Sequence, residues 1–105
     1  ACPVKAISHI TGGGFYENIP RMMTDGLTAK IEKAAVPVLP VFEVMAKTGN
    51  IPERDMFNTF NMGVGMCVAV DKNDVHKAAA AIEAAGEKAV VLGEIVSGDE
   101  GVILC

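Results

Sequence analysis

The sequence predicts an α+β domain in which one mixed β-sheet carries helices packed against it. Apolar runs of strand length alternate with segments of helical period along the chain. Clusters of Gly, Pro, Asp and Asn punctuate most junctions between them. The chain has 105 residues, half of them hydrophobic, so residues 1–105 are read as a single domain with one core.

Val4 to Ile10 alternates loosely and reads as a strand that ends at three consecutive glycines. Phe15 to Met23 reads as a short helix, with Pro20 keeping it brief or breaking it. Asp25-Gly26 is a turn signal before Leu27 to Lys33, whose period of two puts Leu27, Ala29 and Ile31 on one face of a strand. Pro40 suits the first turn of a helix through Thr48, with Gly49 as its stop and Val41, Val44 and Met45 as its apolar stripe. Glu43 and Lys47 stand i, i+4 on it in the favourable order. Pro52 opens a helical turn over Glu53 to Phe57.

Met62 to Val70 is apolar on both faces, the pattern of a central strand covered on both sides. Asp71 to Ala85 carries the clearest helical period. Asp71 or Asn73 caps it, Asp74 favours its positive end, Val75, Ala78, Ala79 and Ile82 form its inner stripe, and Gly86 ends it. Ala89 to Val96 is a strand, and residues 98–101 turn the chain into a last strand over Val102 to Cys105, a closing hairpin.

Composition excludes several classes. The net charge is −4 and no run of Lys or Arg occurs, so nucleic acid is not an expected partner. No apolar stretch approaches the ~20 residues of a membrane span, and the N-terminus lacks the pattern of a signal peptide. Cys2, Cys67 and Cys105 have neither zinc nor disulfide spacing, which fits reduced thiols in a cytoplasmic protein. Cys67 lies in an apolar run and reads as core. Mean hydropathy is +0.35, high for so short a chain and a sign of apolar surface meant to be covered.

The chemistry-bearing residues fall in two stretches. In "SHITGGGFYENIP", Gly12, Gly13 and Gly14 join a strand to a helix. Glycines there let backbone N–H groups face an oxyanion, and a helix N-terminus adds positive potential. A tight turn with no ligand explains the same residues. The motif matches neither the P-loop nor the dinucleotide fingerprint. His9 and Thr11 stand beside it and are candidate ligand contacts; His76 lies on a polar helix face. In "MFNTFNMGVGM", Asn58, Thr59 and Asn61 interrupt apolar sequence, either as loop caps or as a polar edge that reads a ligand. No pair of acids is spaced for acid–base work and no metal cluster is visible, so no catalytic residue and no metal ligand are assigned.

"HITGGGFYENIPRM" followed by "GNIPERDMFNTFNMGVGM" resembles the C-terminal half of the phosphoribosylformylglycinamidine cyclo-ligase (aminoimidazole ribonucleotide synthetase) family, over nearly the whole chain. The resemblance implies that superfamily's C-terminal domain fold and a role in purine biosynthesis. The family uses ATP and magnesium to close formylglycinamidine ribonucleotide into aminoimidazole ribonucleotide. The formyl oxygen is phosphorylated, an amidine nitrogen attacks, and phosphate leaves. His9, Thr11, Gly12, Gly13, Gly14, Asn58, Thr59 and Asn61 are then expected to bind a phosphorylated small-molecule substrate. The family's N-terminal domain supplies much of the nucleotide and magnesium site and forms the homodimer. The chain starts almost at the glycine motif, so it is expected to lack that domain and to be inactive alone. Two alternatives remain: the corresponding domain of formylglycinamidine ribonucleotide synthetase, selenophosphate synthetase or thiamine-phosphate kinase, and a stand-alone small-molecule-binding module.

Overall fold

The computed structural model describes residues 3–105, so Cys2 lies outside the described residues. The fold is α+β. Among the described residues, the strands are β1 (Val4–His9), β2 (Leu27–Ile31), β3 (Met66–Val70), β4 (Gly93–Ser97) and β5 (Val102–Leu104). The α-helices there are α1 (Gly14–Asn18), α2 (Pro40–Gly49), α3 (Glu53–Thr59) and α4 (Val75–Ala84).

The strands form two sheets rather than one. β1 and β3 make an antiparallel ribbon, from Val4 opposite Val70 to His9 opposite Met66. β2 is the middle strand of a mixed sheet ordered β4-β2-β5. It runs antiparallel to β4 and parallel to β5, so the two last strands flank β2 and the expected closing hairpin does not form. The chain crosses the start of β2 instead. Gly98 N–H donates to the Gly26 carbonyl (3.1 Å), and Ala29 N–H to that of Gly101 (2.9 Å). Thr28, fully buried, accepts from Glu100 N–H through Oγ1 (3.2 Å) and donates to the Glu100 carboxylate (3.3 Å). A hydroxyl taken out of water needs such partners, and these hold the crossover in place.

The chain bends as expected at Pro20, where α1 gives way to a 3₁₀ turn over Ile19–Met22. α2 runs one residue further than expected. Asn50 rather than Gly49 takes the left-handed conformation (φ 50°) that stops it. Its inner face is also different. Val41 and Val44 are exposed, whereas Phe42 and Ala46 pack on the core, the Phe42 ring 5.8 Å from that of Phe60. Five neighbouring apolar residues on one helix leave the stripe ambiguous until a partner chooses between faces.

β3 starts four residues later than expected. Met62 (φ 55°) and Gly63 (φ 105°) form a left-handed turn that cannot continue a strand. β3 is not central, because its one partner is β1, and Met66 (59 % exposed) and Val68 (37 %) face outward. The expected strand over Ala89–Val96 is shorter and later, Gly93–Ser97, and residue 93 must be glycine because Lys30 backbone lies where a Cβ there would fall. α4 presents Val75, Ala78, Ala79 and Ile82 as its half-buried face, and Gly86 (φ 96°) follows its end. Asp71 caps the 3₁₀ turn before it by accepting from Asn73 N–H (2.9 Å).

The core lies beneath the glycine motif: Ile10, Phe15, Ile19, Met56, Phe57 and Met62 are all buried. Phe15 and Phe57 pack with ring centroids 5.9 Å apart, which joins α1 to α3.

Candidate functional site

The three glycines differ in what their places demand. Gly14 (φ 59°) is where two backbones meet, and a Cβ there would fall 2.0 Å from the Phe57 carbonyl oxygen and 2.7 Å from that of Phe60. Gly13 (φ 104°) takes a backbone conformation that other residues avoid. Gly12 has open space on its Cβ side. Gly14 N–H turns back to the Thr11 carbonyl (3.0 Å), and Glu17 N–H donates to that of Gly13 (3.3 Å). Among the described residues, no protein group accepts from the N–H of Gly12 or Gly13.

A pocket of about 300 Å³ opens beside this loop. Its lining comprises Ile7, Ser8, His9, Thr11, Asn18, Arg21 and Met22. Ser8 and Asn18 are buried; His9, Thr11 and Arg21 are exposed. β1 alternation explains half of this, since Ser8 faces in where His9 faces out. The 3₁₀ turn explains the rest by bringing Arg21 back over Asn18, with Arg21 Nη1 donating to Asn18 Oδ1 (3.4 Å). A guanidinium, an imidazole and a hydroxyl around one opening suit an anion, and guanidinium geometry matches phosphate oxygens.

His9 and Thr11 line the pocket and the glycines adjoin it, but Asn58, Thr59 and Asn61 do not line it. Asn58 Nδ2 donates to Glu17 Oε2 (3.0 Å), tying α3 to the helix that follows the glycines. Asn61 Oδ1 accepts from Gly63 N–H (2.9 Å) and shapes the turn before β3. Thr59 is exposed.

Sequence reasoning passed over Asn18 and Arg21. One signal was available: Phe15, Asn18 and Ile19 share the i, i+3, i+4 face of the helix, so Asn18 had to be buried with its apolar neighbours. A buried amide needs partners, and a loop whose carbonyls converge can supply them.

A second cavity, of about 330 Å³, is walled by Phe42, Met56, Phe57 and Met62. At its rim Lys33 Nζ lies 2.9 Å from Glu53 Oε1, and that hydrogen bond raises the Lys33 pKa. Cys67 is a buried thiol whose pKa burial pushes up to about 11, the condition of an inert core cysteine. Magnesium prefers carboxylate oxygens together with substrate phosphates. Among the described residues no three His, Cys, Asp or Glu side chains come together, so these residues do not fit a magnesium centre by themselves.

The whole chain, residues 1–105, matches the family model described as AIR synthase related protein, C-terminal domain. It is similar to three proteins named phosphoribosylformylglycinamidine cyclo-ligase. Identity is 56% over 101 residues with that of Agathobacter rectalis, covering 96% of this chain and 30% of the relative. It is 53% over 102 residues with that of Lachnoclostridium phytofermentans (97% and 30%), and 52% over 104 residues with that of Alkaliphilus oremlandii (99% and 30%). The chain thus spans about 30% of the length of the curated relatives it matches. It belongs to the AIR synthase related protein, C-terminal domain family.

Proposed function

We propose that this chain acts as one domain, the C-terminal part of an ATP-dependent phosphoribosylformylglycinamidine cyclo-ligase of purine biosynthesis. The observation that carries the reading is identity of 52–56% to cyclo-ligases across almost all of the chain. The pocket supports it. In this reading the Gly12 and Gly13 N–H groups, Arg21, His9 and Thr11 hold and orient a phosphoryl group of the substrate. ATP would supply the phosphoryl group that makes the formyl oxygen a leaving group, and magnesium, which the described residues do not fit by themselves, would be held by residues outside this chain. The work of these residues is positioning and neutralisation, the main contributions in phosphoryl transfer.

The remaining part of the enzyme is the partner in this reading, as one protomer of a homodimer in the cytoplasm. Ile7, Met66 and Val68 on the outer face of the β1–β3 ribbon, and Val41 and Val44 on α2, are exposed apolar surface of the kind such a partner covers. Among the described residues no helix is long and apolar enough to cross a membrane.

The test is a two-part assay with formylglycinamidine ribonucleotide, ATP and magnesium. The chain by itself should yield no imidazole product. Adding the non-matching N-terminal part of the Agathobacter rectalis relative should restore it. Turnover by the chain alone, or none with both folded parts present, would contradict the proposal.

A further inference from the structure

Asn18 makes an unusual set of contacts for one short side chain. It is 3% exposed. Its Nδ2 donates towards three backbone carbonyls of the glycine loop: Gly14 at 2.9 Å, and Thr11 and Gly12 at 3.3 Å each. Its Oδ1 accepts from the Thr11 hydroxyl and from Arg21 Nη1, both at 3.4 Å. Its backbone carbonyl accepts from the buried Ser8 hydroxyl (2.9 Å), which fastens the end of α1 to β1. Carbonyls gathered onto one donor fix the peptide planes between them, and among the described residues the Gly12 and Gly13 N–H groups are left free of protein acceptors.

We propose that Asn18 is the positioning residue of this site, holding the glycine loop and the Arg21 guanidinium as one unit that receives a phosphate-type anion. The anion half of this proposal rests on the functional reading above; the positioning half does not. An amide is the group the place demands, because it donates to the carbonyls on one side and accepts from Thr11 and Arg21 on the other. A carboxylate of the same shape keeps the second set and sets its charge against the carbonyl oxygens of the first. Asn18→Asp therefore separates the two functions of the side chain.

The experiment uses the ¹⁵N-labelled chain and inorganic phosphate as the probe. In the wild type, the Asn18 side-chain amide protons should exchange at least about tenfold more slowly than those of exposed Asn50, as hydrogen-bonded buried donors do. Phosphate should shift the Gly12 and Gly13 amide resonances. In Asn18→Asp those two resonances should move without ligand, and the phosphate Kd should rise by about tenfold or more, the factor for one charge-assisted hydrogen bond lost. Arg21→Gln should weaken phosphate binding while leaving the ligand-free Gly12 and Gly13 resonances in place, so loop and guanidinium report separately. Unprotected Asn18 amide protons, or a folded Asn18→Asp chain with unmoved glycine resonances, overturn the positioning role. Should Asn18→Asp fail to fold, the wild-type exchange measurement decides that role. A wild-type chain indifferent to phosphate overturns the anion half alone.

Discussion

Replacing Gly14 by alanine perturbs the point where the loop and α3 come closest. The new Cβ would stand 2.0 Å from the Phe57 carbonyl oxygen and 2.7 Å from that of Phe60, and both are backbone atoms that no rotamer change can move. Overpacking of this kind costs about 1–3 kcal/mol. The left-handed φ of 59° adds about 1–2 kcal/mol for a residue with a Cβ. The middles of these ranges sum to about 3.5 kcal/mol, a large part of the ~5–15 kcal/mol that stabilises a typical domain. For a domain of this size that is a fall in Tm of roughly 14–28 °C. Thermal denaturation followed by circular dichroism measures it, with Gly12→Ala as the control. Among the described residues, no atom beyond its chain neighbours lies within 4 Å of the Gly12 Cβ position, and its variant should stay within about 0.5 kcal/mol of the wild type. Equal Tm values for Gly14→Ala and the wild type would refute the close-approach account of that glycine.

Gly12→Val should keep the wild-type Tm within roughly 4 °C and weaken phosphate binding by about tenfold by crowding the free N–H groups; an isothermal titration that finds wild-type affinity counts against the loop as an anion site. Asn61→Ala removes the acceptor of Gly63 N–H and should cost about 1–2 kcal/mol in urea denaturation, whereas Glu53→Ala, which opens only the exposed pair with Lys33, should cost less than about 1 kcal/mol. A reversed order would show that the turn before β3 does not depend on Asn61. The buried Cys67 thiol should resist alkylation in the native state, while exposed Cys105 reacts. Burial holds the folded Cys67 pKa, about 11, above its ordinary value of 9.0. The folded state therefore keeps its proton longer than the unfolded chain. This contribution to stability is complete below 9.0 and is lost as pH rises from there through about 11. Loss of that pH slope in Cys67→Ala, measured against the wild type, checks the assignment.

Local structure was legible wherever one residue type decides it. Pro20 broke the first helix, Asp71 capped the turn before α4, and the period of α4 chose its inner face. Pairing was not legible, because it depends on contacts far apart in sequence. Nothing near Thr28 announces that its hydroxyl will hold Glu100 and slot β2 between β4 and β5. Met62 gave no warning either, since a bulky apolar residue reads as strand until burial and a following glycine hold it left-handed. At the candidate site the glycines, His9 and Thr11 stood out by type. Asn18 was marked only by sharing a helix face with Phe15 and Ile19, and Arg21 not at all, because an exposed arginine reads as surface until the 3₁₀ turn brings it to Asn18. The expected help from a helix N-terminus also shrinks, for α1 has only five residues and aligns few peptide dipoles.

The central claim is that this chain supplies the C-terminal part of a cyclo-ligase, and a chimera tests it most directly. The C-terminal 30% of the Agathobacter rectalis relative, the share this chain matches, is exchanged for residues 1–105, and formation of the imidazole product from formylglycinamidine ribonucleotide, ATP and magnesium is followed. The account predicts kcat/KM within about tenfold of the parent, a barrier change of ~1.4 kcal/mol or less. It also predicts loss of turnover in the same chimera when Asn18→Asp or Arg21→Gln is introduced. A folded chimera that binds ATP but makes no product would contradict it.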